Sequence, residues 1–142
     1  SRVNSYTQGV EVKMHYGSCL CGSVTFNVSE ELDETDACHC DQCRRWTGHF
    51  FASVEVTKTS LSIQGEDHLS WYHSSPKVRR GFCVKCGSSL FFELLDTVKH
   101  HWIGIALGAF DKPTNVTLGR HIFVSEKGDY YQVNDGLPQN EC

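Results

Sequence analysis

Hydrophobic positions in this chain recur at a spacing of two or fall in short runs, and almost nowhere at the three-to-four spacing of an amphipathic helix. The stretches Ser23 to Val28, Phe50 to Val56, Ser60 to Ile63, Leu69 to His73, Ser89 to Leu94 and Trp102 to Leu107 are rich in β-branched and aromatic residues and read as strands. Turn chemistry separates several of them, at Gln64-Gly65-Glu66-Asp67, Ser74-Ser75-Pro76 and Asp111-Lys112-Pro113-Thr114-Asn115. Two stretches, Asp33 to Ala37 and Gln42 to Thr47, leave room for a helical turn and no more. The pattern predicts a mainly β protein of short antiparallel strands. No repeat, low-complexity tract or interior linker divides it, so a single domain is expected over residues 14–142. Residues 1–13 are polar, lack an apolar period, and read as a flexible leader or tag remnant.

Composition narrows the function. Thirteen Lys and Arg against 17 Asp and Glu give a formal charge of −4, which disfavours general binding to nucleic acid. No run approaches the roughly 18 apolar residues needed to span a bilayer, so no membrane association is expected and a cytoplasmic protein is predicted. At 142 residues and 39% hydrophobic content, a core of ordinary size is available. The eight cysteines are therefore not needed as disulfide staples, and their use is chemical or metal-binding.

Two cysteine pairs, Cys19-Leu20-Cys21-Gly22 and Cys83-Val84-Lys85-Cys86-Gly87, each precede a strand. Thiols at i and i+2 of an extended chain point the same way, and a two-residue gap lets both sulfurs reach one ion at about 2.3 Å. Together the pairs supply Cys19, Cys21, Cys83 and Cys86 as a closed structural zinc site. Simple burial of small residues is one alternative. A redox dithiol at Cys83 and Cys86 is another, and it needs a βαβ context that the pattern does not offer.

The third group, Cys38-His39-Cys40-Asp41-Gln42-Cys43-Arg44-Arg45, places three thiols within six residues. Three protein ligands with a vacancy is the arrangement of a catalytic zinc. A fourth ligand, from His39 or a distant side chain, would make it a second structural site instead. His39 lies between two ligands and reaches the same ion only awkwardly, which favours a supporting or exposed role. Cys142, the last residue, is given no role. Arg44 and Arg45 would offset the charge of an anionic centre and could bind a carboxylate, with Arg45 the stronger candidate; a solvated basic pair is the alternative. Arg79 and Arg80 point to opposite faces of a strand, so at most one of them faces the same pocket. Trp46, Phe50 and Phe51 are assigned to packing, with Trp46 bordering the pocket.

The segments GSCLCGSVTF, CHCDQCRRWTG, GFCVKCGSSLFF, LGAFDKP, HIFVSEKGDYY and DGLPQ stand in the order seen in the glutathione-dependent formaldehyde-activating enzyme family, also called the centromere protein V domain family. The chain resembles that family from about Tyr16 to Gln139. The resemblance implies a β-tent fold built around a four-cysteine zinc site, with a catalytic zinc at Cys38, Cys40 and Cys43, hence two zinc ions per chain. It further implies a carbon-sulfur lyase activity that interconverts glutathione and formaldehyde with S-(hydroxymethyl)glutathione. His121, in Arg120-His121-Ile122-Phe123, is the candidate general acid/base, the alternative being a hydrogen-bonded histidine at a strand end. A different class of function is a non-catalytic zinc-binding module that presents a protein or nucleic-acid interaction surface. Methionine sulfoxide reductase chemistry would need a free nucleophilic cysteine late in the domain, and residues 119–126 contain none. The oligomeric state is left open.

Overall fold

The computed structural model describes residues 13–142. The leader expected at residues 1–13 lies outside the described residues apart from Lys13, whose Nζ is 3.5 Å from Glu31. The described residues form the strands β1 (His15–Ser18), β2 (Thr25–Val28), β3 (Glu34–Cys38), β4 (Phe51–Thr57), β5 (Leu61–Gln64), β6 (Leu69–Ser75), β7 (Val78–Cys83), β8 (Ser89–Leu94), β9 (Trp102–Ala106) and β10 (His121–Ile122). A short helix, α1 (Asp41–Thr47), lies between β3 and β4. No helix among the described residues is long and apolar enough to cross a membrane. The mainly β expectation holds.

The strands form two sheets. A three-stranded sheet runs in the order β1-β2-β5, and a seven-stranded sheet in the order β10-β3-β4-β9-β8-β7-β6. The pairings between these strands are antiparallel except β10 with β3, which is parallel, in keeping with the mainly antiparallel expectation. The helical turn expected at Asp33 to Ala37 is instead β3. That segment is flanked on both sides, by β4 and β10, and ladder pairing with two neighbours outweighs its weak local preference. The second expected helical turn is α1.

Alternation along each strand sorts its residues between two environments. On one face of the larger sheet, Val54 and Val56 of β4, Ile103 and Ile105 of β9 and Phe91 of β8 pack against Phe26 and Val28 of β2 to form the core. Phe26 sits at its centre, edge-on to Phe91 at 5.6 Å and to Phe110 at 5.2 Å between ring centroids. The opposite face carries Asp36 and Cys38 of β3, Phe51, Ser53 and Glu55 of β4, Arg80 of β7, Phe92 of β8 and Trp102 of β9. These residues line a cleft of about 780 Å³. One sheet thus builds the core with one set of side chains and the cleft with the other.

Because Phe26 is held by two aromatic edges and is buried, Phe26→Ala should cost about 3–5 kcal/mol. Urea denaturation monitored by tryptophan fluorescence checks this; a loss under 1 kcal/mol would mean the core is not organised around this ring.

Candidate metal centres

The two cysteine pairs meet at one point. Their four Sγ atoms all lie within 4.8 Å of one another, with Cys19 and Cys21 at 3.6 Å and Cys21 and Cys83 at 3.8 Å. Each pair sits on a tight turn, closed by the Gly22 amide donating to the Cys19 carbonyl and the Gly87 amide donating to the Cys83 carbonyl. Gly22 and Gly87 have φ of 81° and 80°, a left-handed conformation that glycine adopts without a side-chain clash. Backbone amides also face the sulfurs: Val24 N–H donates to Cys19 Sγ at 3.4 Å and Lys85 N–H donates to Cys83 Sγ at 3.4 Å. The Ser23 hydroxyl and amide hold the Cys21 thiol below its ordinary range, and hydrogen bonds with Ser88 bring Cys86 down to about 5, whereas burial raises Cys83. Four convergent sulfurs, with Cys21 and Cys86 favoured as thiolates, make a donor set suited to a soft or borderline divalent metal.

The second cluster forms where β3 ends and α1 begins. Cys38 is the last residue of β3, Cys40 caps α1 with its Sγ accepting from the Cys43 amide at 3.3 Å, and Cys43 is buried in the first turn. The three sulfurs also lie within 4.8 Å of one another. Hydrogen bonding from the Cys38 and Cys43 thiols holds Cys40 far below its ordinary range, and the complementary bonds raise Cys38. All three cysteines line the cleft, in contrast to the four of the first cluster.

The structure distributes the other expected site residues unevenly. Arg45 does not reach the cleft: its side chain is 73% exposed and its Nε bonds Asp41 at 3.3 Å, one turn back along α1. Arg44 also pairs with Asp41. The guanidinium that touches the cysteines is Arg80, whose Nη1 is 3.5 Å from Cys43 Sγ, while Arg79 points to the other face and bonds Glu93 at 2.6 Å. Trp46 is turned away from the cleft, stacked on Tyr72 at 5.4 Å with its Nε1–H donating to Ser89 Oγ at 2.9 Å.

His121 is buried and does not line the cleft. Its neighbour Ile122 does, as strand alternation requires. His121 is the middle of a hydrogen-bonded chain, with Nδ1 2.8 Å from His39 Nε2 and Nε2 2.8 Å from Asp135 Oδ2. His39 in turn places Nδ1 2.5 Å from the Tyr131 hydroxyl and is fully buried, and burial with His121 nearby lowers its pKa. His121 is therefore a hydrogen-bonded histidine at a strand end, and His39 supports the C-x-C segment from behind rather than reaching the sulfurs' side.

At the far end of the cleft lie two carboxyls, Asp36 and Glu55, that belong to none of the cysteine motifs. Asp36 is 3.6 Å from Arg120, yet burial outweighs that cation and raises its pKa; Glu55 is raised by burial and then by Asp36. The available signal was the period-two spacing of Asp36 from Cys38 and of Glu55 from Ser53, which puts each pair on one face.

Comparison with known proteins bears on this geometry. Residues 14–126 match the profile of the family described as glutathione-dependent formaldehyde-activating enzyme. A protein of Schizosaccharomyces pombe named as an uncharacterized lyase is 28% identical over 115 residues, spanning 81% of this chain and 82% of its own length. A crystal structure of a Rhodobacter sphaeroides protein superposes with a TM-score of 0.58 at 22% identity, covering 70% of this chain and 91% of that one, which supports the fold.

The raised pKa of Glu55 means that its charged form weakens folding. That cost is absent below the ordinary glutamate range and grows as pH rises through the folded value. Glu55→Gln should accordingly raise the melting midpoint at pH 7, and the gain should vanish by about pH 4. Differential scanning calorimetry across that interval checks the sign; a variant less stable than the parent at pH 7 would contradict it.

Proposed function

Since the chain belongs to the glutathione-dependent formaldehyde-activating enzyme family, we propose that it is a zinc-dependent carbon-sulfur lyase acting between glutathione and formaldehyde. The observation that carries this reading is the three-cysteine cluster opening onto the cleft, alongside a separate four-cysteine cluster that does not. The donor sets fit zinc: all-sulfur, convergent, and supplied with thiolate-stabilising hydrogen bonds. Cys19, Cys21, Cys83 and Cys86 would hold a structural ion with no vacant position. Cys38, Cys40 and Cys43 would hold the catalytic one.

Zinc bound by three thiolates supplies either a lowered thiol pKa or polarisation of an aldehyde oxygen. The remaining work falls to the chain. In the synthetic direction a sulfur-carbon bond forms, the carbonyl π bond opens, and the proton lost by the thiol ends on the new hydroxyl. The cleft, at about 780 Å³, has the size of a small-ligand site, and Phe51, Phe92, Trp102 and Phe123 wall it with apolar surface that limits water. The groups placed to move a proton at the cysteine end are carboxylates. Asp41 follows Cys40 directly, and Glu126 accepts the Asp41 amide at 3.0 Å. Asp41 is held by Arg44 and Arg45, leaving Glu126 the freer base. His121 and Arg45 lie outside this reacting set.

Metal analysis is expected to find about two zinc ions per chain, the second more easily chelated, and about one in Cys40→Ser. NMR exchange spectroscopy of formaldehyde, glutathione and their adduct is expected to show acceleration by the zinc-loaded protein over the spontaneous reaction, lost in Cys40→Ser. A single tightly held ion, or no acceleration across several thiols and aldehydes, would sink the enzymatic reading and favour a zinc-binding interaction module.

A further inference from the structure

Arg80 is 3% exposed, and among the described residues it makes no ion pair with a carboxylate. The other arginine lining the cleft, Arg120, has Asp36, and its sequence neighbour Arg79 has Glu93. Arg80 instead donates through Nε to Ser74 Oγ at 3.1 Å, through Nη1 to Cys43 Sγ at 3.5 Å and through Nη2 to Gln42 Oε1 at 3.5 Å, with its Cζ 5.1 Å from the centre of the Phe92 ring. Burying a cation with no carboxylate partner is expensive, so a guanidinium held against the Cys43 sulfur in this way marks where negative charge is accommodated.

We propose that Arg80 is the specificity-determining residue that makes the three-cysteine end of the cleft take an anionic ligand, a thiolate in preference to a neutral group of similar size. The proposal rests on the reading of Cys38, Cys40 and Cys43 as metal ligands. Three thiolates and a divalent ion sum to one negative charge, and Arg80 brings the buried assembly to neutrality. An incoming anion then meets no net like charge. With Arg80 removed, the same anion enters against a negative site of low polarity, while a neutral ligand is indifferent to the change. Ser74, Gln42 and the Phe92 face fix the guanidinium in place, so the compensation is built in before a ligand arrives. Arg45 cannot serve in this way, because its exposed charge is spent on Asp41 and screened by water.

The test uses the full chain loaded with cobalt(II), whose absorption reports ligands that enter at the metal. The four-cysteine cluster contributes a constant background, identified with Cys40→Ser. Glutathione, azide and imidazole are titrated into the parent, Arg80→Met and Arg80→Lys. Arg80→Met is expected to weaken azide and glutathione by tenfold or more while imidazole shifts less than threefold, and Arg80→Lys is expected to retain most of the anion affinity. Equal changes for anions and imidazole, or none, would overturn the proposal. If glutathione leaves the parent spectrum unchanged while azide binding is lost in Arg80→Met, the thiol reading fails and the role of Arg80 stands. If Arg80→Met does not fold, Arg80→Lys and Arg80→Gln carry the same comparison, and equal azide affinity in those two overturns it.

Discussion

The constraint on which the rest of the structure depends is the strict alternation of side chains across the seven-stranded sheet. A sheet that must bury one face against a second sheet has only the other face left for chemistry. Each central strand therefore splits its residues between duties: Ala37 and Cys38, Val54 and Glu55, Arg79 and Arg80, Ile103 and Trp102. The cleft is rigid for the same reason. Its lining residues cannot shift register by one position without exchanging the core for the cleft along the whole strand.

Two kinds of order hold the cysteines. The four-sulfur cluster is set by turn geometry, with amides and positive-φ glycines repeated in both knuckles. The three-sulfur cluster is set by a transition from strand to helix, in which Cys38 ends the β3 ladder and Cys40 caps α1. Behind it, His39 is anchored through His121 to Asp135 and through its other nitrogen to Tyr131. The C-x-C segment is thus held by its middle residue, so that its two sulfurs face the cleft while the imidazole grips the opposite side.

Local pattern made much of this legible. Strand alternation at residues 23–28 and 69–73, the glycines after each knuckle, and the division of cysteines into groups of four and three are all features of short sequence windows. What stayed hidden depends on partners far along the chain. β7 reads as charged and broken by glycine, because the partner of the half-buried Arg79 is the distant Glu93 and the surroundings that make the buried Arg80 tolerable come from α1, β6 and β8. The face taken by His121 is fixed by the parallel register of a two-residue strand against β3, for which no local signal exists. Arg45, two residues after Cys43 and one helical step beyond Arg44, turns outward because a helix rotates each successive residue by about 100°.

The union of two knuckles, 62 residues apart, also has a kinetic meaning. Bringing together the ends of so long a segment carries a loop-closure entropy of about 4 kcal/mol, and no local contact within either knuckle offsets it. Pairing of the strands between Cys21 and Cys83 removes most of that cost, which favours closing the cluster late in assembly. An interaction absent from the folding transition state leaves the folding rate nearly unchanged and slows unfolding. Whatever holds the four sulfurs together therefore works less as a nucleus than as a latch, governing how long the folded chain persists once it has formed.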